Sequence, residues 1–383
     1  MKILFLQNCA DVYGGAEFVN QMLANEFVKD NYDVTIACKW YTGNNQYIDY
    51  DRRVNKIVVS QNVDTQMPSK KEMIKKIFGL NFKSFFKDLK QIKKHYNSIK
   101  IDNKLLMTTI KGETPDIIIA SNPLLLKSVP KEMLSKTFCH MHSGFKFYLE
   151  NKKITNFLFK YNKLIKGFIW IAESTVDLAK ELGFNNNIYI TNPIRIKCDK
   201  ISNLKNKKAV FIGRISPEKR VDLLVDIFNN IKQAVPDWSL EIYGSGNINA
   251  KSKEIILTNK QIKLMGPTNN VKDVLKESSL LLITSSYEGL SMVIFEAYEC
   301  GVPVLSFNFG NSVNQSIKNN ITGVIINDDN KKEYENKLIE LLTNYNFRKK
   351  LGENAKEYAK EYYIENIVKK WYDLFDEVNH EKN

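Results

Sequence analysis

Two stretches of this sequence carry residue types at spacings that point to chemistry. The first is Gly213-Arg214-Ile215-Ser216-Pro217-Glu218-Lys219, which follows the apolar run Ala209–Ile212 and precedes an amphipathic segment starting at Val221. A strand that feeds a loop and then a helix is where doubly wound α/β folds bind ligands. Two cations on such a loop suit a diphosphate, Arg214 forking to two oxygens and Lys219 acting as a compact charge. Taken alone, the loop reads equally well as a solvated turn.

The second stretch is Tyr287-Glu288-Gly289-Leu290-Ser291-Met292-Val293-Ile294-Phe295-Glu296, placed after the apolar run Leu280–Thr284. If a helix starts at Ser291, Glu288 stands on the loop before it and Glu296 lies more than one turn inside. The backbone N–H groups of Gly289, Leu290, Ser291 and Met292 then offer an anion site. A carboxylate in an apolar helix costs free energy unless it is hydrogen-bonded. Glu296, between Phe295 and Ala297, therefore needs partners, and two sugar hydroxyls would serve. Further candidates are the glycine loop at Gly14 and Gly15 and the run Cys139-His140-Met141-His142-Ser143-Gly144. Strand alternation puts both imidazoles on one face. His142 is preferred, because it lies where the run gives way to a loop. A His-x-His metal site would lack a third ligand, and Asp49-Tyr50-Asp51 before Arg52-Arg53 reads as a solvated turn.

These candidates need a scaffold, and the hydrophobic pattern supplies one. Apolar runs at Lys2–Gln7, Val34–Cys38, Lys56–Val59, Asp116–Ala120, Thr137–Met141 and Gly167–Ile171 alternate with helical segments, the first from Ala16 to Lys29. After a polar, lysine-rich stretch at Lys197–Lys208 the alternation restarts. Strands are predicted at Ala209–Ile212, Ser239–Tyr243, Ile262–Met265, Leu280–Thr284 and Pro303–Phe307. Helices are predicted at Val221–Lys232, Val271–Lys276 and Met292–Cys300, and throughout the tail from Lys331. Short continuous apolar runs separated by helices indicate parallel sheets covered on both faces. The simplest reading is two successive doubly wound units facing across a cleft.

The Glu-x7-Glu pair with Ala297-Tyr298-Glu299-Cys300-Gly301-Val302-Pro303-Val304 closely resembles the signature of retaining GT-B glycosyltransferases of family four, the glycosyl transferases group 1. Gly213-Arg214 with Lys219, Tyr243-Gly244-Ser245-Gly246, Gly266-Pro267 and Gly14-Gly15-Ala16-Glu17 fit the same pattern. The resemblance runs from residue 1 to about 370 and is most specific in the second half. It implies a GT-B fold: residues 1–196 as a Rossmann-like acceptor-binding domain, residues 197–365 as a Rossmann-like nucleotide-sugar-binding domain, and residues 366–383 as a helix crossing back to the first. It implies that Arg214 and Lys219 hold the donor diphosphate, Glu296 the ribose hydroxyls, and Glu288 the donor sugar. The amides of Gly289 to Met292 would hold phosphates and sugar. Tyr243, Gly244, Gly266 and Pro267 would border the nucleoside, and Gly14 and Gly15 would approach the phosphates or acceptor. A histidine near the donor sugar is expected, here His142. The implied reaction retains anomeric configuration by front-face attack, with a UDP-sugar as co-substrate, no cofactor and no metal. Ser291 stands where many relatives have proline.

Composition narrows the class further. The chain has 383 residues, 43% hydrophobic and 26% charged, which fits a folded protein with ample core and excludes disorder or a collagen-like chain. The N-terminus reads as a strand rather than a signal peptide, and no apolar run is long enough to span a bilayer. Five scattered cysteines with no Cys-x-x-Cys pair read as packing residues of a cytoplasmic protein. The net charge of +13 divides into +12 for residues 1–200 and +1 for the remainder. The basic half should face something anionic. Segment 68–104, with eleven lysines against three acids and an amphipathic apolar stripe broken near Gly79, is the candidate contact with an anionic membrane surface. Packing on the protein is its other reading, and no nucleic-acid motif accompanies it. The expected partners are a nucleotide-sugar and a glycan or lipid-linked acceptor, at the inner face of the cell membrane. A nucleotide-sugar epimerase, or a non-catalytic partner in a glycosylation complex, is the competing reading.

Overall fold

The computed structural model describes residues 1–11, 14–41, 49–60, 82–310, 312–327 and 330–380. Two parallel sheets organise them. The first has seven strands: β1 (Lys2–Cys9), β2 (Asp33–Trp40), β3 (Asn55–Ser60), β4 (Ile117–Ala120), β5 (Thr137–Met141), β6 (Gly167–Trp170) and β7 (Asn187–Tyr189), in the order β3-β2-β1-β4-β5-β6-β7. The second has six: β8 (Lys208–Ile212), β9 (Ser239–Tyr243), β10 (Ile262–Gly266), β11 (Leu280–Ile283), β12 (Val304–Phe307) and β13 (Gly323–Ile326), in the order β10-β9-β8-β11-β12-β13. In each sheet the order reverses beside the first strand, creating the switch point at which doubly wound folds bind ligands. The GT-B expectation of two Rossmann-like sheets is met.

The chain forms two units. One comprises Met1–His142, Lys153–Ile169 and Phe184–Ile188; the other comprises Ser143–Lys152, Trp170–Gly183 and Tyr189–Asn383. In the first, Ile3, Leu4, Phe5 and Leu6 of β1 and Ile117, Ile118 and Ile119 of β4 have no exposed surface. Such unbroken apolar strands are stable only when helices cover both faces. In the second, helix α1 (Val221–Ile231) buries Leu224, Val225, Ile227 and Phe228 against Ala209, Phe211, Leu240 and Ile242. On the other face, helix α2 (Met292–Glu299) buries Ile294, Phe295, Ala297 and Tyr298 with Val210, Leu281, Ile283 and Val304.

Several details differ from expectation. Strands β7 and β13 are additional to those the hydrophobic pattern marks. The tail is three helices, α3 (Lys331–Thr343), α4 (Tyr345–Ala359) and α5 (Ile364–His380), broken at Asn344, whose side chain caps α4, and at a 3-10 turn over Lys360–Tyr362. Residues 68–81 of the basic segment, with the break expected at Gly79, lie outside the described residues; the rest is one helix, Phe82–Glu113. The cysteines are not all packing residues. Cys198 and Cys300 form a disulfide across 102 residues, Cα atoms 5.8 Å apart. Chain folding brings them together, for Glu299 at the end of α2 accepts the Cys198 N–H at 2.9 Å. Cys9, Cys38 and Cys139 are not bridged.

The loop after β8 is stitched to those after β9 and β10 through backbone bonds: Gly213 N–H to Tyr243 O at 2.9 Å, Ile215 N–H to Ser245 O at 2.8 Å, and Gly244 N–H to Gly266 O at 2.9 Å. Gly244 sits where a Cβ would meet Gly213 O at 1.8 Å, whereas a Cβ on Gly15 meets nothing within 4 Å. Gly244→Ala should therefore destabilise by roughly 1–3 kcal/mol, as overpacking does, and lower the melting temperature. Gly15→Ala, on an exposed helical position, should leave melting unchanged or slightly higher. Equal melting of both variants in a thermal denaturation series would refute the close packing of these loops.

Candidate active site

Lys219 and Glu288 meet, and they do so because β8 and β11 are neighbours whose C-terminal loops lie side by side. Lys219 Nζ donates to Glu288 Oε1 at 2.6 Å, with side-chain exposures of 18% and 10%. The same oxygen accepts from Ser285 Oγ at 2.7 Å and from Ser291 Oγ at 3.3 Å. Ser291, at the position where many relatives have proline, thus helps hold Glu288. The two loops are joined beyond this pair. Thr284 Oγ1 donates to Lys219 O at 2.8 Å, and Ser286 N–H donates to Glu218 O at 2.8 Å. Arg220 donates through Nε to Thr284 O at 2.5 Å and through its Nη2 to Ser285 O at 3.3 Å, with its guanidinium 5.0 Å from the Phe307 ring centroid. Arg220 has φ 49°, in the left-handed region that a non-glycine residue enters at a cost. Its hydrogen bonds and ring contact offset that cost. No sequence pattern singles it out.

The other anticipated cation stands apart. Arg214 is 80% exposed and its ion-pair partner is Glu218, at 3.8 Å. Glu218 in turn is held by Ser216 Oγ at 2.6 Å, which with Arg214 keeps its carboxyl below the usual range. The structure thus brings together one cation and one carboxylate of the predicted four. Glu296 is the other carboxylate. It lies inside α2 as expected, 1% exposed, but its partner is Arg195, whose Nε donates to Oε1 at 2.5 Å. Burial pushes the Glu296 carboxyl up, and the Arg195 charge opposes that. Sequence reasoning misses Arg195 because its partner is 101 residues away along the chain.

Gly289 and Gly144 pack backbone to backbone: a Cβ on either would lie within 2.8 Å of the other's loop. Beside them Phe145, Thr175, Tyr287, Glu288, Phe309 and Ser312 line a cavity of about 160 Å³. Leu290 and Ser291 are buried, and Met292 opens α2. At the edge of the same sheet, Tyr243 donates to Glu241 at 2.8 Å, Gly266 has φ 76° and Pro267 is exposed. In the other unit, Gly14 caps the helix Gly15–Lys29, and neither glycine has a positive φ. Asp51 of the Asp-x-Asp pattern is clasped by Arg53 at 2.9 Å. Among the described residues no group of three or more His, Cys, Asp and Glu side chains could hold a metal.

His140 and His142 do share a face of β5 and its end, with ring centroids 3.9 Å apart. Burial holds both imidazoles neutral, His140 well below its usual range and His142 down to about 3. The unfolded chain therefore binds protons below about pH 6.5 that the folded chain does not, and stability falls as pH falls through that value. Melting temperature should decline from pH 7 to 5, and less steeply in His142→Leu. Identical slopes for the two proteins would show that the His142 ring is charged when folded.

Comparison with known proteins puts this geometry in a family. Residues 195–358 match the family described as Glycosyl transferases group 1. Over 378 residues the chain is 24% identical to an uncharacterized glycosyltransferase of Haemophilus influenzae, covering 96% of this chain and 97% of that one. It is 26% identical over 231 residues to the poly(ribitol-phosphate) alpha-N-acetylglucosaminyltransferase of Staphylococcus aureus, covering 59% of this chain but only 47% of that one. The fold is also that of Staphylococcus aureus TarM, solved as a point mutant in complex with fondaparinux, alpha-GlcNAc-glycerol and UDP, at a TM-score of 0.75 and 18% identity over 98% of this chain and 99% of that one. Residues 195–358 are accordingly a glycosyl transferases group 1 domain, in a chain that shares the GT-B fold of its glycosyltransferase neighbours.

Proposed function

We propose that this chain is a retaining hexosyltransferase of family four that uses a UDP-sugar and a glycan or lipid-linked acceptor, in the synthesis of a surface polysaccharide or glycolipid. The observation that carries the reading is the Lys219–Glu288 pair, fixed by two serine hydroxyls at the C-terminal edge of β8 and β11 and beside a cavity. In the proposed reaction the bond from the anomeric carbon to the diphosphate breaks. The acceptor hydroxyl oxygen bonds to that carbon on the face the diphosphate leaves. Its proton passes to the departing phosphate oxygen, so the products are a nucleoside diphosphate and a glycoside of unchanged configuration. Lys219 stabilises the leaving charge, with Arg214 on the same loop as a second, solvent-exposed cation. Glu288 orients the sugar. Catalysis is then positioning and charge stabilisation, which needs no metal and no strong base. The neutral His142 imidazole suits hydrogen bonding to a sugar hydroxyl better than acid catalysis. Uridine diphosphate is favoured because TarM was solved with UDP.

The test is a panel of nucleotide sugars with glycan and lipid acceptors. At least one UDP-sugar should raise the melting temperature, release UDP when an acceptor is present, and remain active in EDTA. Lys219→Ala and Glu288→Ala should each lower turnover at least about 100-fold, the scale of a lost transition-state charge partner, while still melting cooperatively. Near-normal turnover in both variants would defeat the site. Interconversion of the nucleotide sugar without transfer would favour an epimerase.

The same reading places the acceptor at a membrane, because the helix Phe82–Glu113 sorts its charges. The two acids of its first two-thirds, Asp88 and Asp102, are buried, whereas Lys87, Lys90, Lys93, Lys94, Lys100 and Lys104 are exposed. Phe86, Tyr96 and Ile101 are more than half exposed among them. A basic face with interspersed apolar side chains fits an anionic lipid surface. Among the described residues no helix is long and apolar enough to cross a membrane. Binding to phosphatidylglycerol-containing vesicles should rise with their anionic fraction and weaken with salt, the more so after Lys90→Glu/Lys93→Glu. Salt-independent binding, or none in a flotation assay, would remove the membrane contact.

A further inference from the structure

The segment that follows β7 enters the second unit through Asn192-Pro193-Ile194-Arg195, and it is anchored there by Ile194 N–H donating to Tyr362 O at 2.8 Å. That anchor delivers the Arg195 side chain to α2. Its guanidinium closes on Oε1 of Glu296 through both Nε and Nη2, while Oε2 is buried and has no hydrogen-bond partner among the described residues. A buried carboxylate oxygen without a donor is costly. It therefore points to a donor that arrives with a ligand.

We infer that Arg195 is a positioning residue for donor binding, committing one oxygen of an ionised Glu296 and leaving the other to a hydroxyl of the donor's ribose. This rests on the proposed reading of Glu296 as the ribose partner. The remaining charged groups around α2 are occupied elsewhere. Lys356 of α4 pairs with Glu299 at 2.8 Å, one turn along the helix. Lys272 and Lys276, on the helix Val271–Lys276, pair with Asp199 at 3.8 and 3.4 Å. Tyr362 packs its tilted ring against Phe295, and burial keeps its phenol neutral, as it does that of Tyr298. Arg195 is thus the charge that opposes desolvation of Glu296. Without it the carboxyl takes up a proton as pH falls, and a protonated carboxyl no longer offers two acceptor oxygens.

The experiment measures UDP affinity by titration calorimetry from pH 8.5 to 5.5 for the wild type, Arg195→Met, Arg195→Lys and Glu296→Gln. The readout is the ratio of each variant's dissociation constant to that of the wild type, which cancels the titration of UDP itself. For Arg195→Met the ratio should grow as pH falls, by up to about tenfold per unit below the carboxyl's raised pKa. For Glu296→Gln, which has nothing to titrate, binding should be weak and the ratio should be lowest at acid pH, where the wild type itself begins to lose the carboxylate. Arg195→Lys should hold its ratio nearly constant. A ratio for Arg195→Met that is constant with pH, whether near one or above it, overturns the inference, since a purely structural role has no reason to follow proton uptake. Should Arg195→Met fail to fold, Arg195→Gln carries the same comparison. If Glu296→Gln binds UDP as the wild type does, it is the ribose reading of Glu296 that fails, whatever Arg195 does.

Discussion

The ion pair between Lys219 and Glu288 is the constraint around which the second unit is organised. Its members are 69 residues apart and sit on separate loops, so it exists only if β8 and β11 are adjacent and end at the same level. Neither group is well solvated, and a buried charge that loses its partner is strongly destabilising. The loops are accordingly locked by more than the pair. Thr284 and Ser286 bond to the 218–219 backbone, and Arg220 bonds back to Thr284 and Ser285. The left-handed backbone at Arg220 makes sense in this frame. It turns the chain sharply after Lys219 and directs the guanidinium to the facing loop.

A second constraint runs along α2, an apolar helix that nevertheless carries two fully buried carboxylates. Glu296 is matched by Arg195 and Glu299 by Lys356, with Cys198 N–H also bonded to Glu299. Both partners come from segments distant in sequence, so the buried acids tie the 192–198 segment and α4 to the helix. The disulfide from Cys198 to Cys300 closes the same contact covalently, at the residue after Glu299. Charge pairing and cross-linking therefore act at one end of the helix whose other end carries Glu288 and Ser291.

Much of this is legible in the sequence, and the rest is hidden for identifiable reasons. Strands such as Ile117–Ala120 and Leu280–Ile283 are short runs of buried apolar residues bounded by polar and turn residues, the pattern of a strand covered on both faces. β7, by contrast, has three half-buried residues, too few to show a period. β13 begins at a glycine in a stretch rich in asparagine, where turn signals mask the apolar run Val324–Ile326. Spacing along the chain puts Lys219 on the loop after β8, Glu288 on the loop after β11 and Glu296 inside α2, which is where they lie. It does not assign partners. Arg214 looks equivalent to Lys219 by charge and position, yet its side chain extends into solvent beside Glu218. Arg195 carries no local signal, because what defines it is a carboxylate on another element.

The uneven charge of the chain is likewise a matter of placement rather than composition. A helix with many lysines and few acids could scatter them, leaving a weak field on every side. In Phe82–Glu113 the 3.6-residue period does the opposite. Asp88 and Asp102 are fourteen residues apart, nearly four full turns, so both turn inward on one face, while the lysines between them fall on the other. Burying the acids removes the groups that would cancel the outward charge, and exposed Phe86, Tyr96 and Ile101 add apolar area to the same face. Asp102 also has a partner on the inward side, the buried Lys39, whose charge it supports against desolvation. The outward face of this helix is therefore strongly basic, whereas residues 201–383 carry a net charge of only +1.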